Sequence, residues 1–156
     1  MSLGAPDPAL APAPPAAYAV GWPAIDELHA ECDALLAALA VAAESEQMRA
    51  IDLLFEHLLE HFGAEEALMQ ASGYARLDCH KREHDAVLRV VARVRPMVEA
   101  GDHDVARRLA AEFPQWFGVH AATMDSMLAT WLREAAAADE AAPPAAPGCG
   151  CGPVGG

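Results

Sequence analysis

Five histidines and two carboxylates recur along this chain at intervals that only a helix turns into shared faces: His29, His61 with Glu65, His80 with His84, and His120 with Asp125. A helix advances about 100° per residue, so side chains at i and i+4 stand one turn apart on the same face. His61/Glu65 and His80/His84 therefore each present two donor groups in one direction. His120/Asp125 is an i, i+5 pair, which a regular α-helix offsets by about 140° around its axis. From that offset the carboxylate is expected to reach sideways, a placement suited to bridging two ions. A fold that serves this pattern must be helical, and it must bring four separate segments to one point.

Four segments carry the required apolar repeat, and no stretch shows a strand alternation. The first is expected from Pro23 to Ala43, with proline at the tolerated first turn and Ile25, Leu28, Leu35, Leu36 and Leu39 as its stripe. The second is expected from Glu46 to Ala71, N-capped by Ser45 and followed by Gly73. Ile51, Leu54, Phe55, Leu58, Leu59, Phe62 and Leu68 make its core-facing positions. The third spans Leu77 to Glu99, with Val87, Leu88, Val91 and Val94, and with Pro96 near its end. The fourth spans Asp102 to Ala138 and should kink at Pro114, whose ring removes a backbone hydrogen bond. Short connections between four amphipathic helices imply an all-α, antiparallel up-down-up-down four-helix bundle over residues 18–138. Residues 1–17 and 139–156 are rich in Pro, Ala and Gly and read as a disordered N-terminal tail and a flexible C-terminal tail, the latter holding Cys149 and Cys151.

The bundle places the seven groups at one depth. His29 follows the start of the first helix by about two turns, His61/Glu65 precede the end of the second, and His80/His84 open the third. The fourth helix passes the same level. Burying five imidazoles and two carboxylates without a cation would be costly, so an ordinary bundle with incidental polar residues is the weaker reading. Imidazole and carboxylate donors suit iron, zinc, copper or nickel. The absence of thiolate from the set disfavours a structural zinc site or an iron–sulfur cluster. Shared between two ions, with bridging carboxylates and a solvent-derived bridge, these donors supply about five or six ligands to each. The odd number of histidines leaves one ion a vacant position where a small ligand could bind.

Other residues near the series have plainer readings. His57 lies close to the face of His61 but outside a complete set, and is expected to be a supporting or partly exposed residue. His103, beside the Gly101 turn, is expected to be solvated. Cys79 points about 100° away from His80 and is read as non-ligating. Cys32 is a core or surface residue, and Glu60 and Glu66 either orient imidazole N–H groups or face solvent. Trp22, Phe62, Trp116 and Phe117 are expected in the core.

From Tyr18 to Trp131 the chain resembles the bacterial haemerythrins, a haemerythrin-like family that binds dioxygen at two irons. The likeness rests on "VGWPAIDELH", "HFGAEEALM" with its HxxxE pair, "GYARLDCHKREH" with HxxxH, and "WFGVHAATMD" with HxxxxD. It implies a non-haem di-iron protein that binds dioxygen reversibly for storage, delivery or sensing, and not an enzyme. It further implies two Fe ions bridged by an oxo or hydroxo group and by Glu65 and Asp125. His80, His84 and His120 would hold one iron; His29 and His61 would hold the other, which keeps the open position. Three positions depart from the family pattern: Leu28 stands where Gln commonly precedes the first histidine, Phe117 where Leu is usual, and Ala121 where Ile is usual. Trp116, Phe117 and Ala121 are the expected pocket residues, with a ring replacing one wall and a methyl another. Such changes bear on solvent access and oxidation rate.

Composition narrows the partners. A net charge of −13 and a pI near 4.7 argue against nucleic acid and anionic membranes. No apolar run approaches a membrane span, so no membrane insertion is expected. The N-terminus lacks the basic and apolar regions of a signal peptide, so a cytoplasmic location is expected, which also suits four cysteines with no disulfide framework. Beyond dioxygen, a redox or oxygen-accepting protein partner remains unspecified. The chief rival is a redox enzyme on the same centre, reducing peroxide or nitric oxide or donating iron for iron–sulfur repair. A ferritin-like oxidase would need Glu-x-x-His pairs, and none occurs here. A signalling input domain would require a separate output partner.

Overall fold

The computed structural model describes residues 17–142, which fold into helices in the order α1 (Pro23–Val41), α2 (Glu44–Ser72), α3 (Leu77–Glu99), α4 (His103–His120) and α5 (Ser126–Ala141). A π-helical turn, Ala121–Asp125, joins α4 to α5, so that the two form one rod and the chain is a four-helix bundle. No strand occurs among the described residues. Each helix packs on the next, and α4 closes the bundle against α1. The expected tails lie outside the described residues except at their inner edges: α5 continues to Ala141, beyond the expected end at Ala138. Cys149 and Cys151 lie outside the described residues.

Local signals account for most boundaries. Pro23 opens α1, where a missing N–H costs nothing. Gly73 ends α2 in the left-handed region at φ 67°, a conformation a side chain would resist. Asp102, expected to be the first helical residue, instead caps α4: its carboxylate accepts from the Val105 N–H at 3.2 Å. Ser45 is not a cap. The α2 helix begins one residue before it, behind Ala43, without a side-chain capping bond. Leu59, counted among the core positions, is 49 % exposed, while His57 two residues earlier is turned inward. Helix α4 continues through Pro114, and a π-helical irregularity follows it at Ala121–Asp125.

The core comes in two parts. A large cluster joins Leu36 and Leu39 of α1, Ile51 to Phe62 of α2, Val87 to Val98 of α3 and Ala106 to Phe117 of α4. A small one joins Ile25, Met69, Leu128 and Leu132, with Trp22 and Tyr74 packed against it. Along each helix the histidines and carboxylates of the series fall at the junction of the two clusters, with His61 beside Phe62, the last α2 residue of the larger one. They form a polar layer across the bundle.

Candidate metal centre

All seven groups of the series meet in that layer, and none is more than 3 % exposed. Helices α1 and α2 supply His29, His61 and Glu65; α3 supplies His80 and His84; the end of α4 and the π turn supply His120 and Asp125. The π turn accounts for the last pair. Its Ser126 N–H bonds to the Ala121 carbonyl, an i→i−5 spacing, so the turn holds one residue more than an α-helical turn. That extra residue cancels the offset expected of an i, i+5 pair, and Asp125 Oδ1 comes to 3.1 Å from His120 Nε2. Thr123 and Ser126 donate their hydroxyls to the Val119 and Ala122 carbonyls at 2.7 Å each, satisfying acceptors in the distorted stretch.

Each carboxylate divides its two oxygens between two groups of imidazoles. Glu65 Oε1 lies 2.9 Å from His61 Nε2 and 3.6 Å from His29 Nε2. Its Oε2 lies 3.2 Å from His84 Nε2 and 3.5 Å from His80 Nε2. Asp125 turns Oδ2 to His29 Nε2 at 3.0 Å and Oδ1 to His80 and His120 at 2.9 and 3.1 Å. The donors thus sort into a pair, His29 and His61, and a trio, His80, His84 and His120, with one oxygen of each carboxylate facing each group.

These short separations are mostly not hydrogen bonds. His29 Nε2, His84 Nε2, Glu65 Oε2 and both Asp125 oxygens are buried with no hydrogen-bond partner. His80 and His120 even bring two Nε2 atoms to 3.1 Å. Buried polar atoms are rarely left this way. Donor atoms that crowd together while aiming past one another suit a cation between them: bonds of about 2.1 Å at right angles place neighbouring ligand atoms about 3 Å apart. The donor set therefore fits metal ions, and its division into two groups sharing two carboxylates fits two.

Electrostatics agree. Burial lowers the tendency of His29 to hold a proton, but Asp125, Glu65 and the Tyr18 carbonyl outweigh it and raise its pKa to about 10. His80 is raised to about 9 against the same burial, by Asp125 and Glu65. Burial opposes ionisation of Glu65 and Asp125 as well. The imidazoles around them nonetheless hold both carboxyls below their usual range. Negative charge is fixed in this layer, and it draws protons or metal ions to balance it.

Groups behind the imidazoles set which nitrogen faces inward. His29 Nδ1–H donates to the Tyr18 carbonyl at 2.7 Å, and His84 Nδ1–H to Glu66 Oε1 at 3.4 Å. Of the two glutamates flanking the ligand pair, Glu66 is thus the orienting one, held in turn by Lys81 at 3.0 Å, while Glu60 is exposed. The role of Tyr18 had no signal in sequence, since any residue's carbonyl could serve. Apolar rings close the layer: Phe62 stacks on His84 at 4.0 Å, Trp116 on His120 at 4.6 Å, and Phe117 meets His29 edge-on at 5.1 Å. Phe117 and Ala121 are buried, and Trp116 and Trp22 are half-buried. His57 sits behind His61 and bonds through Nε2 to the Leu28 carbonyl at 3.1 Å. His103 is only partly solvated: its Nδ1–H donates to the buried Gln47 at 2.8 Å, at the far end of the bundle. Cys79 is exposed and outside the set, whereas Cys32 is fully buried.

Comparison with known proteins agrees with this geometry. Residues 20–132 match the family described as "Hemerythrin HHE cation binding domain". The chain is 40 % identical over 115 residues to a bacteriohemerythrin of Ralstonia nicotianae, covering 74 % of this chain and 84 % of that one. It is 32 % identical over 105 residues to a bacteriohemerythrin of Stenotrophomonas maltophilia, covering 65 % and 68 % of the two chains, and 31 % identical over 88 residues to one of Methylococcus capsulatus, covering 56 % and 67 %. No solved structure matches the chain. With its four-helix bundle, its divided ligand layer and a family match over most of its length, this chain belongs to the hemerythrin HHE cation-binding domain family.

Proposed function

We propose that this chain is a non-haem di-iron protein that binds dioxygen reversibly, serving its storage, delivery or sensing as a cytoplasmic protein. The observation that supports this most is the division of Glu65 and Asp125, each with one oxygen toward His29/His61 and the other toward His80/His84/His120. Three imidazoles would hold one ion and two the other, which would leave a free position on the His29/His61 side. Iron suits imidazole and carboxylate donors and can exchange electrons with a bound gas. The bound pair of irons would supply the electrons that hold dioxygen. The chain's part is to fix the donors, keep water out and limit proton access. Phe62, Trp116 and Phe117 provide that apolar enclosure. Residues 18–138 form the functional unit in this reading.

Reversible optical bands on oxygenation and deoxygenation of the reduced, iron-loaded protein are the expected outcome of an anaerobic titration. Metal analysis should give two irons per chain; a reconstituted protein holding one or none would overturn the di-iron assignment. A second reading, reduction of peroxide or nitric oxide on the same centre, draws on Ala121. It borders a half-open 180 Å³ cavity with Tyr18, Val20 and Gly118, one residue along the chain from His120. Rapid irreversible oxidation in the titration, with turnover of added peroxide, would favour that reading over carriage. No helix among the described residues is long and apolar enough to cross a membrane.

A further inference from the structure

Beside α5 the bundle surface holds an open aromatic groove of about 380 Å³, lined by Tyr74, Arg76, Met127, Thr130 and Trp131. Ser126 borders its inner end and Glu134 its outer one. The Tyr74 and Trp131 rings stand 6.0 Å apart, and Trp131 and Met127 are 37 % and 42 % exposed. The hydrogen bonds around this groove are nearly all made. Arg133 links Thr130 to the Val20 and Gly21 carbonyls on one side, and the Val20 and Gly21 N–H groups go to Asp26. On the other side the Trp131 indole N–H donates to Ser72. Between them Ser126 Oγ–H donates to the Ala122 carbonyl at 2.7 Å and Thr130 Oγ1–H to the Ser126 carbonyl at 2.9 Å. Arg76 is the exception. Its Nη1 reaches the Met127 sulfur at 3.4 Å, and it has no carboxylate partner among the described residues. A fitting occupant is therefore apolar, brings few N–H groups, and offers carbonyls to a guanidinium. Proline-rich chain in the polyproline conformation meets all three conditions, and aromatic grooves are its usual seat.

Such a segment lies next to the groove in the chain. Pro6, Pro8, Pro12, Pro14 and Pro15 precede Ala17. Ala17 borders the cavity lined also by Gly118, Ala122 and Ser126, and Ser126 is common to that cavity and the groove. The backbone turns at Ala17–Tyr18, which reverses the chain's direction there. Ser126 to Glu134 is about 12 Å of helix, and Pro12 to Ala16 in polyproline form extends about 15 Å, enough to span it. The other proline-rich stretch begins after Ala142, about 12 Å of helix beyond Glu134. We propose that residues 12–16 lie along this groove, with Pro12, Pro14 and Pro15 against Tyr74 and Trp131 and their carbonyls toward Arg76. Tethered at Ala17, the segment docks without the cost of bringing two molecules together. Tyr74 also packs against the small apolar cluster, so the docked segment adds cover at the end of the bundle where the core is thinnest.

The test follows methionine oxidation by dilute hydrogen peroxide, read by mass spectrometry, in zinc-loaded protein, where no redox metal consumes the peroxide. Met97, 41 % exposed near the end of α3, is the internal reference. Relative to Met97, Met127 should react about fivefold faster in a chain lacking residues 1–16 than in the full chain, as when docking leaves the groove open about one-fifth of the time. The full chain with Pro12→Gly, Pro14→Gly and Pro15→Gly should fall between the two. Proton NMR of the full chain should find contacts between the Cδ hydrogens of these prolines and the Trp131 indole. An equal ratio of Met127 to Met97 oxidation in the full and shortened chains would overturn the proposal. Protection of Met127 that is lost on removing residues 143–156 would overturn it in favour of the C-terminal segment. Protection that grows with protein concentration would overturn it in favour of a second copy. If the shortened chain does not fold, the triple variant and the proline contacts decide, and their showing no difference and no contact would be equally fatal.

Discussion

The two apolar clusters on either side of the metal layer differ greatly in size, and the difference says which part of the bundle depends on metal. The larger draws on all of α1 to α4 and includes Leu36, Leu54, Leu58, Val91 and Phe113, packed without the layer's help. The smaller has Ile25, Met69, Leu128 and Leu132 at its heart, and is separated from the larger by the layer of buried histidines and carboxylates. Apolar burial contributes in proportion to area. The large side has enough to stand without the layer, and the small side does not.

Chelation is the strongest way to break this contrast. Metal-binding energy is partly folding energy, on the order of 10 kcal/mol for well-formed sites, so the chelated protein should melt well below the loaded one. The loss should be local. Hydrogen exchange in the chelated protein should accelerate first around Ile25, Met69 to Tyr74 and Leu128 to Leu132, while Leu54, Leu58 and Val94 stay protected. Equal acceleration at both ends would show that the bundle responds as one cooperative unit.

Cavity substitutions sharpen the same point at smaller scale. Leu54 and Leu128 are each fully buried, one per cluster. Truncation of either should cost about 2–5 kcal/mol in the loaded protein. In the chelated protein, Leu54→Ala should keep its cost in denaturant unfolding, whereas Leu128→Ala should lose much of it because its surroundings have already loosened.

Acidity provides a third probe. In metal-free protein His29 and His80 hold protons with pKa values raised from 6.5 to about 10 and about 9. Folded chains keep these protons where unfolded chains release them, so the stabilisation is complete below the unfolded value near 6.5. It is then lost as pH rises through the folded values. Loaded protein, with those nitrogens on metal, has no such protons to lose. The melting temperature of chelated protein should therefore fall from about pH 6.5 to pH 10, and the gap to the loaded form should widen over the same range. A constant gap would mean that the layer is neutralised some other way.

Much of this layout was legible in the sequence because it follows from periodicity. The i, i+4 spacing of His61/Glu65 and His80/His84, and the depth of His29 along its helix, determine where the donors meet once the bundle is assumed. What periodicity could not convey is where a helix departs from its own period. The π turn at Ala121–Asp125 puts Asp125 under His120, and the 140° offset of a regular helix was the wrong geometry for that stretch. Pro114 gave no hint of that turn, which lies seven residues beyond it in a helix that continues through the proline. Backbone partners were equally invisible: the Tyr18 carbonyl behind His29 and the Leu28 carbonyl behind His57 come from chain placement and not from side-chain type. His103 read as solvated because the turn beside it is exposed. Its partner Gln47 lies 56 residues away, a pairing no local pattern encodes.

The far end of the bundle, where Gln47 and His103 meet, supplies the smallest test. Asp102 caps α4 there with its bond to the Val105 N–H, on the side of the large cluster remote from the metal layer. Replacing it by alanine leaves that N–H without its acceptor and should cost about 1 kcal/mol, the usual worth of an N-cap. If the large cluster buffers one end from the other, the cost should be the same in loaded and chelated protein, and metal affinity should not change. A measurable drop in metal affinity in Asp102→Ala would mean that α4 transmits strain along its whole length to His120, making the ligand layer sensitive to a cap some eighteen residues away.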